Sequence, residues 1–168
     1  MKPANLMTSL FKYKQWANQE LFASMRELDV TQHQTERHSA IRILNHVYVV
    51  DSIFWANLHG LPHHYVATNT EQTPALDQLY AAVCKTDAAY LAYLEMLDSA
   101  GFDETMHFVF TDGGHGQMSR AEILMHVITH GGYHRGAVGR ILSQLSIAAP
   151  RDIYTKFLHE SEPGRRAG

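Results

Sequence analysis

EILMHVITHGGYHRGAVGRILSQL, residues 122–145, reads as one long helix that contains residues helices avoid. Just upstream, Ser119-Arg120-Ala121-Glu122 fits the Ser-x-x-Glu capping box, whose side chains satisfy orphan backbone donors at a helix start. The helix should therefore run from there to about Leu145. Inside it, Gly131, Gly132 and Gly136 surround His130 and His134. Each mid-helix glycine costs about 0.8–1 kcal/mol relative to alanine, so either the backbone or the imidazoles must have a further task. Gly132, Gly136 and Gly139 recur at spacings of four and three, forming a side-chain-free strip. Such a strip lets another helix approach closely, from the same bundle or from a second subunit. Room for a ligand beside a metal is the functional alternative, and packing is the preferred reading.

Three more segments carry helical periodicity. The first runs from about Asn5 to Leu28, with Leu6, Leu10, Tyr13, Ala17, Leu21 and Met25 at three- and four-residue spacings. The second begins near Ser39 or Ala40, carries Ile43, Val47, Val50 and Phe54 on one stripe, and stops at His59-Gly60. The third is expected to start at Thr73-Pro74, an N-cap followed by proline at the first helical position, and to bury Leu76, Leu79, Val83, Ala89 and Tyr90. LPHHYVATNTEQTP, residues 61–74, reads as a loop. TMHFVFTDGGHGQM, residues 105–118, suggests a short β-hairpin whose second strand is hardly visible, and RDIYTKFLHE, residues 151–160, a short final helix. The expectation is an all-α four-helix bundle, a single domain over residues 1–168, with its topology open.

Composition narrows the function. A formal charge of -3 offers no basic patch for phosphates, so nucleic acid is not an expected partner. Cys84 is the only cysteine, which precludes an intramolecular disulfide and suits a reducing cytosol. MKPANLMTSLFKYKQW lacks the apolar run of a signal, and VYVVDSIFW and EILMHVI are too short and charge-interrupted to span a membrane. A cytoplasmic protein without membrane partners is expected. The anomaly is histidine: twelve, against fourteen lysines and arginines together.

Residues four apart on a helix differ by only about 40° around its axis, so His130 and His134 can offer two nitrogens to one cation. His126, one turn upstream, makes His126/His130 an equally spaced alternative. A useful site needs a third ligand from another helix. His46 is the best candidate, because Val50 and Ile53 place it on an apolar, inward stripe where an imidazole must be hydrogen-bonded or ligating. His59, His63 and His64 lie at a helix end and in a loop, where exposure is the default.

At these residues the chain resembles the DinB/YfiT-like family of four-helix bundles. The likeness lies in FKYKQWANQEL, ILNHVYVVDSIFWANLHG and EILMHVITHGGYHRGAVGRILSQL, which occur in the family's order and cover essentially the whole chain. The resemblance implies a divalent metal, zinc or nickel among the possibilities, held by His46, His130 and His134, with His126 a neighbour. It also implies a homodimer and, in some relatives, activation of a low-molecular-weight thiol for transfer or isomerisation on a small-molecule substrate.

Three neutral ligands leave a coordination position for water or substrate and keep the cation's full charge, which would lower the pKa of a bound water or thiol. The leading expectation is a metal-dependent thiol transferase or hydrolase. The rival is a non-catalytic dimeric stress-response or binding module with a structural or vestigial metal. Asp51 lies about 140° around the helix from His46, off the metal-facing side; it can still orient a neighbouring group behind the ligands, and a buried or interfacial hydrogen-bond partner is an expectation at least equal to any catalytic role. Arg135 is expected to point away from the metal and form an ion pair, with anion binding the second reading. Asn18 and Trp16 are read as packing, Cys84 as a small core residue, and His115 is assigned no role.

Overall fold

The computed structural model describes residues 3–166, with side chains described from residue 5; Met1 and Lys2, where the N-terminal reading begins, lie outside. Four long helices, α1 (Pro3–Arg26), α2 (Gln34–Leu58), α3 (Leu76–Met96) and α4 (Arg120–Gln144), form the bundle. A hairpin of β1 (Thr105–Val109) and β2 (His115–Ser119) precedes α4, and α5 (Tyr154–Ser161) follows it. The strands pair antiparallel, with Phe108 opposite Gly116. Among the described residues no helix is long and apolar enough to cross a membrane.

Helix boundaries follow local chemistry with two differences from the sequence expectation. The Ser119 capping box is present: its hydroxyl accepts from the Glu122 N–H, and the Glu122 carboxylate accepts from the Ser119 N–H at 2.7 Å. Gly60 closes α2 with a φ of +62°, as the Leu61 N–H reaches back to the Ala56 carbonyl at 2.9 Å. That is the left-handed exit glycine supports best. However, α2 begins at Gln34, five residues before Ser39; its first turn is polar throughout, so no apolar period announces it. It follows a turn in which Asp29 accepts from the Thr31 and Gln32 N–H groups. And α3 begins at Leu76, after an extended Ala75, with no side-chain cap. Burial of Leu76 and Leu79 sets its start, whereas Thr73-Pro74 stays in the incoming loop.

The packing order is not the chain order. α1 packs on α3 and α4, and α2 on α3 and α4, so the ring reads α1–α3–α2–α4. Two apolar clusters fill it. One contains Phe11, Phe54, Leu58, Tyr90, Leu94, Phe108, Ile123 and Val127. The other contains Leu21, Met25, Ile41, Leu44, Leu79, Val83, Val138 and Leu142. α1 and α4 run from the first cluster to the second, while α2 and α3 run the other way.

Between the clusters lies a buried polar layer: Lys14 and Asn18 from α1, Asp51 from α2, Asp87 from α3 and Arg135 from α4. The Lys14 ammonium meets Asp51 Oδ2 at 2.8 Å and Asp87 Oδ1 at 2.5 Å. Asn18 donates to Asp87 Oδ2 at 2.8 Å and accepts from Arg135 Nη1 at 3.3 Å. Arg135 is paired with Asp152, beyond the end of α4, at 2.8 Å. One side chain from every long helix therefore enters a single ionic chain. Lys14→Met would leave Asp51 and Asp87 facing one another without their cation. We expect a loss of about 3–5 kcal/mol in urea unfolding at neutral pH; a loss below about 1 kcal/mol would contradict this role.

Candidate metal centre

Because α2 lies beside α4, His46 reaches the face that carries His130 and His134. The nearest ligating atoms of the three lie within 4.8 Å of one another. His46 Nε2 is 3.0 Å from His130 Nε2, and the ring centroids of His46 and His134 are 4.7 Å apart. Two imidazoles bonded to a common cation at about 2.0–2.1 Å sit roughly 2.9–3.4 Å apart for angles between right and tetrahedral. The His46–His130 pair already has that separation.

The orientation of His46 is built by the loop. Asn45, buried beside it, donates to Asn69 Oδ1 at 2.5 Å and to Thr70 Oγ1 at 2.6 Å. Arg42 donates to the Thr70 carbonyl, and Asn69 donates back to the Arg42 carbonyl. This pins the segment so that the Thr68 carbonyl lies 2.7 Å from His46 Nδ1. A carbonyl can only accept, so Nδ1 carries the proton and Nε2 keeps its lone pair, the arrangement that orients metal-ligating histidines.

Electrostatics favour neutral rings. Burial, helped by His134, His46, His126 and Lys14, pushes the His130 imidazolium down to about 3. Burial, then His46, lowers His134. The Nδ1 of His130 is buried without a hydrogen-bond partner. This convergent set of imidazole donors is compatible with a divalent cation.

The other residues singled out in the sequence occupy different surroundings. His126 stacks on His130, with centroids 5.2 Å apart, and lies outside the three-residue cluster. Asp51 faces Lys14 in the bundle interior and not the histidines. Arg135 is buried in its ion pair with Asp152. Asn18 is a link in the ionic chain. His59 and His64 are exposed, whereas His63 is half-buried. Cys84 is half-buried, and His115 is exposed in β2.

The glycines divide in a way their spacing does not reveal. A Cβ on Gly131 would lie 3.1 Å from Arg135 Nη1 and 3.6 Å from Lys14 Cε, so this glycine makes room for the ionic layer. Gly136, in the middle of the expected strip, is exposed with nothing within 4 Å.

Three contributors, Lys14, Asp87 and Thr68, do not stand out in the sequence. Lys14 does leave a signal, since Phe11, Lys14, Asn18 and Leu21 follow one inward stripe at spacings of three and four. Thr68 leaves none, because its contribution is a backbone carbonyl.

A helical bundle with three histidines at metal-ligand spacing on adjacent helices defines the class. The DinB family model matches residues 1–165, and the chain belongs to the DinB family. It is similar to Protein DinB of Bacillus subtilis (strain 168), at 26% identity over 159 residues, which cover 89% of this chain and 91% of that protein. No solved structure matches.

Behind the cluster, burial raises the Asp51 carboxyl to about 6 against the opposing pull of Lys14. An unfolded aspartate titrates near about 3.9, so the folded chain holds a proton that the unfolded chain releases between these values. This contribution to stability is fully present below about pH 4 and lost as pH rises through about 6. The Asp51 carboxyl carbon, followed by NMR, should titrate near pH 6; a midpoint in the ordinary aspartate range would refute the assignment.

Proposed function

We propose that this chain is a divalent-metal-dependent enzyme in which His46, His130 and His134 hold the cation and a low-molecular-weight thiol, or water, attacks a small-molecule substrate. The reading is carried by one observation: three imidazoles from two adjacent helices converge, with the Thr68 carbonyl setting the tautomer of His46. A divalent cation held there would supply a Lewis acid that makes a coordinated thiol or water a better nucleophile at neutral pH. Zinc and nickel both suit such a donor set. The chain's own residues do the rest. Thr68 orients His46, the depressed proton affinity of His130 and His134 keeps both rings available, and the Arg135–Asp152 pair braces α4 at the turn that carries them.

Protein purified without a histidine tag should carry about one divalent ion per chain by elemental analysis. His134→Ala should lower both metal content and thiol conjugation to a generic electrophile by about a hundredfold or more. Conjugation unchanged in His134→Ala would count decisively against the reading.

A dimeric, non-catalytic binding module is the second reading, favoured by the outer face of α4. Met125, Thr129, Gly132, Tyr133 and Gly136 share that face; Met125 and Tyr133 are exposed large apolar side chains, and Gly136 lets a second helix approach closely. On this reading two copies meet along α4. Light scattering should then give a dimer for the native chain and a monomer for Gly136→Glu, with the melting temperature indifferent to chelator.

A further inference from the structure

We propose that the cavity beside the three histidines seats an uncharged apolar group, an aryl ring or a branched alkyl chain, of the molecule this site acts on. The inference rests on the proposed metal site for its catalytic meaning, but the cavity itself stands on separate observations.

The space has a volume of about 230 Å³ and lies between α2, α4 and the end of β1. Its walls include Ile53 and Phe54 of α2, Val109 and Phe110 of the hairpin, and the rings of His126 and His130. Among the described residues no lysine, arginine, aspartate or glutamate lines it. An apolar cavity of about 150 Å³ already admits benzene, so this one has room for a substituted ring. It falls below the roughly 300 Å³ at which drug-sized pockets begin, which points to a fragment of a substrate rather than a whole large one.

The hairpin wall is a built feature. Phe108 lies across from Gly116, and a Cβ there would come within 2.5 Å of the Phe108 ring and 2.9 Å of the Phe110 ring. The glycine thus lets both rings fold down onto the strand pair. Phe108 packs edge-on against Phe54 at 5.7 Å and against Phe110 at 5.1 Å. The Phe110 N–H donates to the Gly114 carbonyl at 2.8 Å, and its own carbonyl accepts from the Gly113 N–H at 2.9 Å. Yet Val109 and Phe110 remain 48% and 45% exposed. These two adjacent apolar side chains form the open rim of the cavity.

The chemistry of the walls sorts the two reactants of a thiol transfer. An ionised carboxylate or phosphate seated against Ile53, Phe54, Val109 and Phe110, away from the cation's open position, would lose its hydration with no charged side chain to replace it. A charged, hydrophilic thiol therefore belongs outside it, and the apolar part of the acceptor inside. His126, a neighbour and not a member of the triad, becomes a wall: it stacks on His130 and lies 4.8 Å from Phe54.

The test compares two thiols that share a donor atom and differ in their apolar part. Cobalt(II)-loaded protein is titrated with 2-mercaptoethanol and with benzyl mercaptan, reading the thiolate-to-cobalt charge-transfer band. Benzyl mercaptan should bind about tenfold or more tightly. Phe110→Ser, on the exposed hairpin, should bring the ratio of the two affinities down toward one without adding a charge beside the cobalt, and Val109→Ser should act alike. Equal affinities in the native protein, or a preference that survives both variants, overturn the proposal and leave the metal reading intact. A parallel arm adds benzyl alcohol to chelator-treated protein and follows amide resonances. Saturable shifts at Val109, Thr111 and His126 support the cavity even if no cobalt binds, in which case only the metal reading fails; their absence overturns the proposal.

Discussion

The whole bundle is organised around one buried cation. Lys14 is fully enclosed and spans from α1 to carboxylates on α2 and α3. Through Asn18 the same layer reaches Arg135 on α4 and Asp152 beyond it. Enclosed charges are a poor source of net stability compared with apolar packing, but an unmatched one is severely unfavourable. Only a ring order that brings all these groups together satisfies them. The layer therefore acts as a register constraint between two apolar clusters that could otherwise slide along their stripes.

That constraint reaches the histidines through α4. Arg135 follows His134 directly, and Gly131 follows His130, so both neighbours of the candidate ligands are committed to the ionic layer. The imidazoles project about 100° around the helix from these neighbours, toward His46 on α2. The helix tolerates glycine at 131 because the stem of Lys14 and the guanidinium of Arg135 occupy the space a side chain would take. The same stretch of α4 thus takes part in both the rigid layer behind the cluster and, through His126 and His130, the apolar cavity beside it.

Much of this was legible in the residues. The capping box at Ser119, the exit glycine at residue 60 and most of the apolar stripe of α2 are local signals, and local backbone chemistry answers them; on α1 the expected stripe holds only from Ala17 onward, because Leu6 is exposed and Met7, Phe11 and Lys14 turn inward instead. The paired spacing of His130 and His134 is equally local. The start of α2 is hidden because its first turn is polar throughout and carries no apolar period. The start of α3 was misplaced because the burial of Leu76, a tertiary matter, outweighed the capping chemistry of Thr73-Pro74. Lys14 is not legible in the sequence because a lysine on an inward stripe makes sense only with its two aspartates, 37 and 73 residues away, beside it.

The sequence by itself determined the helices, their amphipathic faces, the two-histidine spacing on α4 and, through its resemblance, the family. Periodicity is set by bonds and side chains within one element, so a single segment suffices to reveal it. Only the tertiary structure decided that α2 stands next to α4 rather than next to α1, that the Thr68 carbonyl orients His46, and that the hairpin leans Phe110 over the site. These depend on which surfaces meet when distant charges must be paired, and no single segment contains that information.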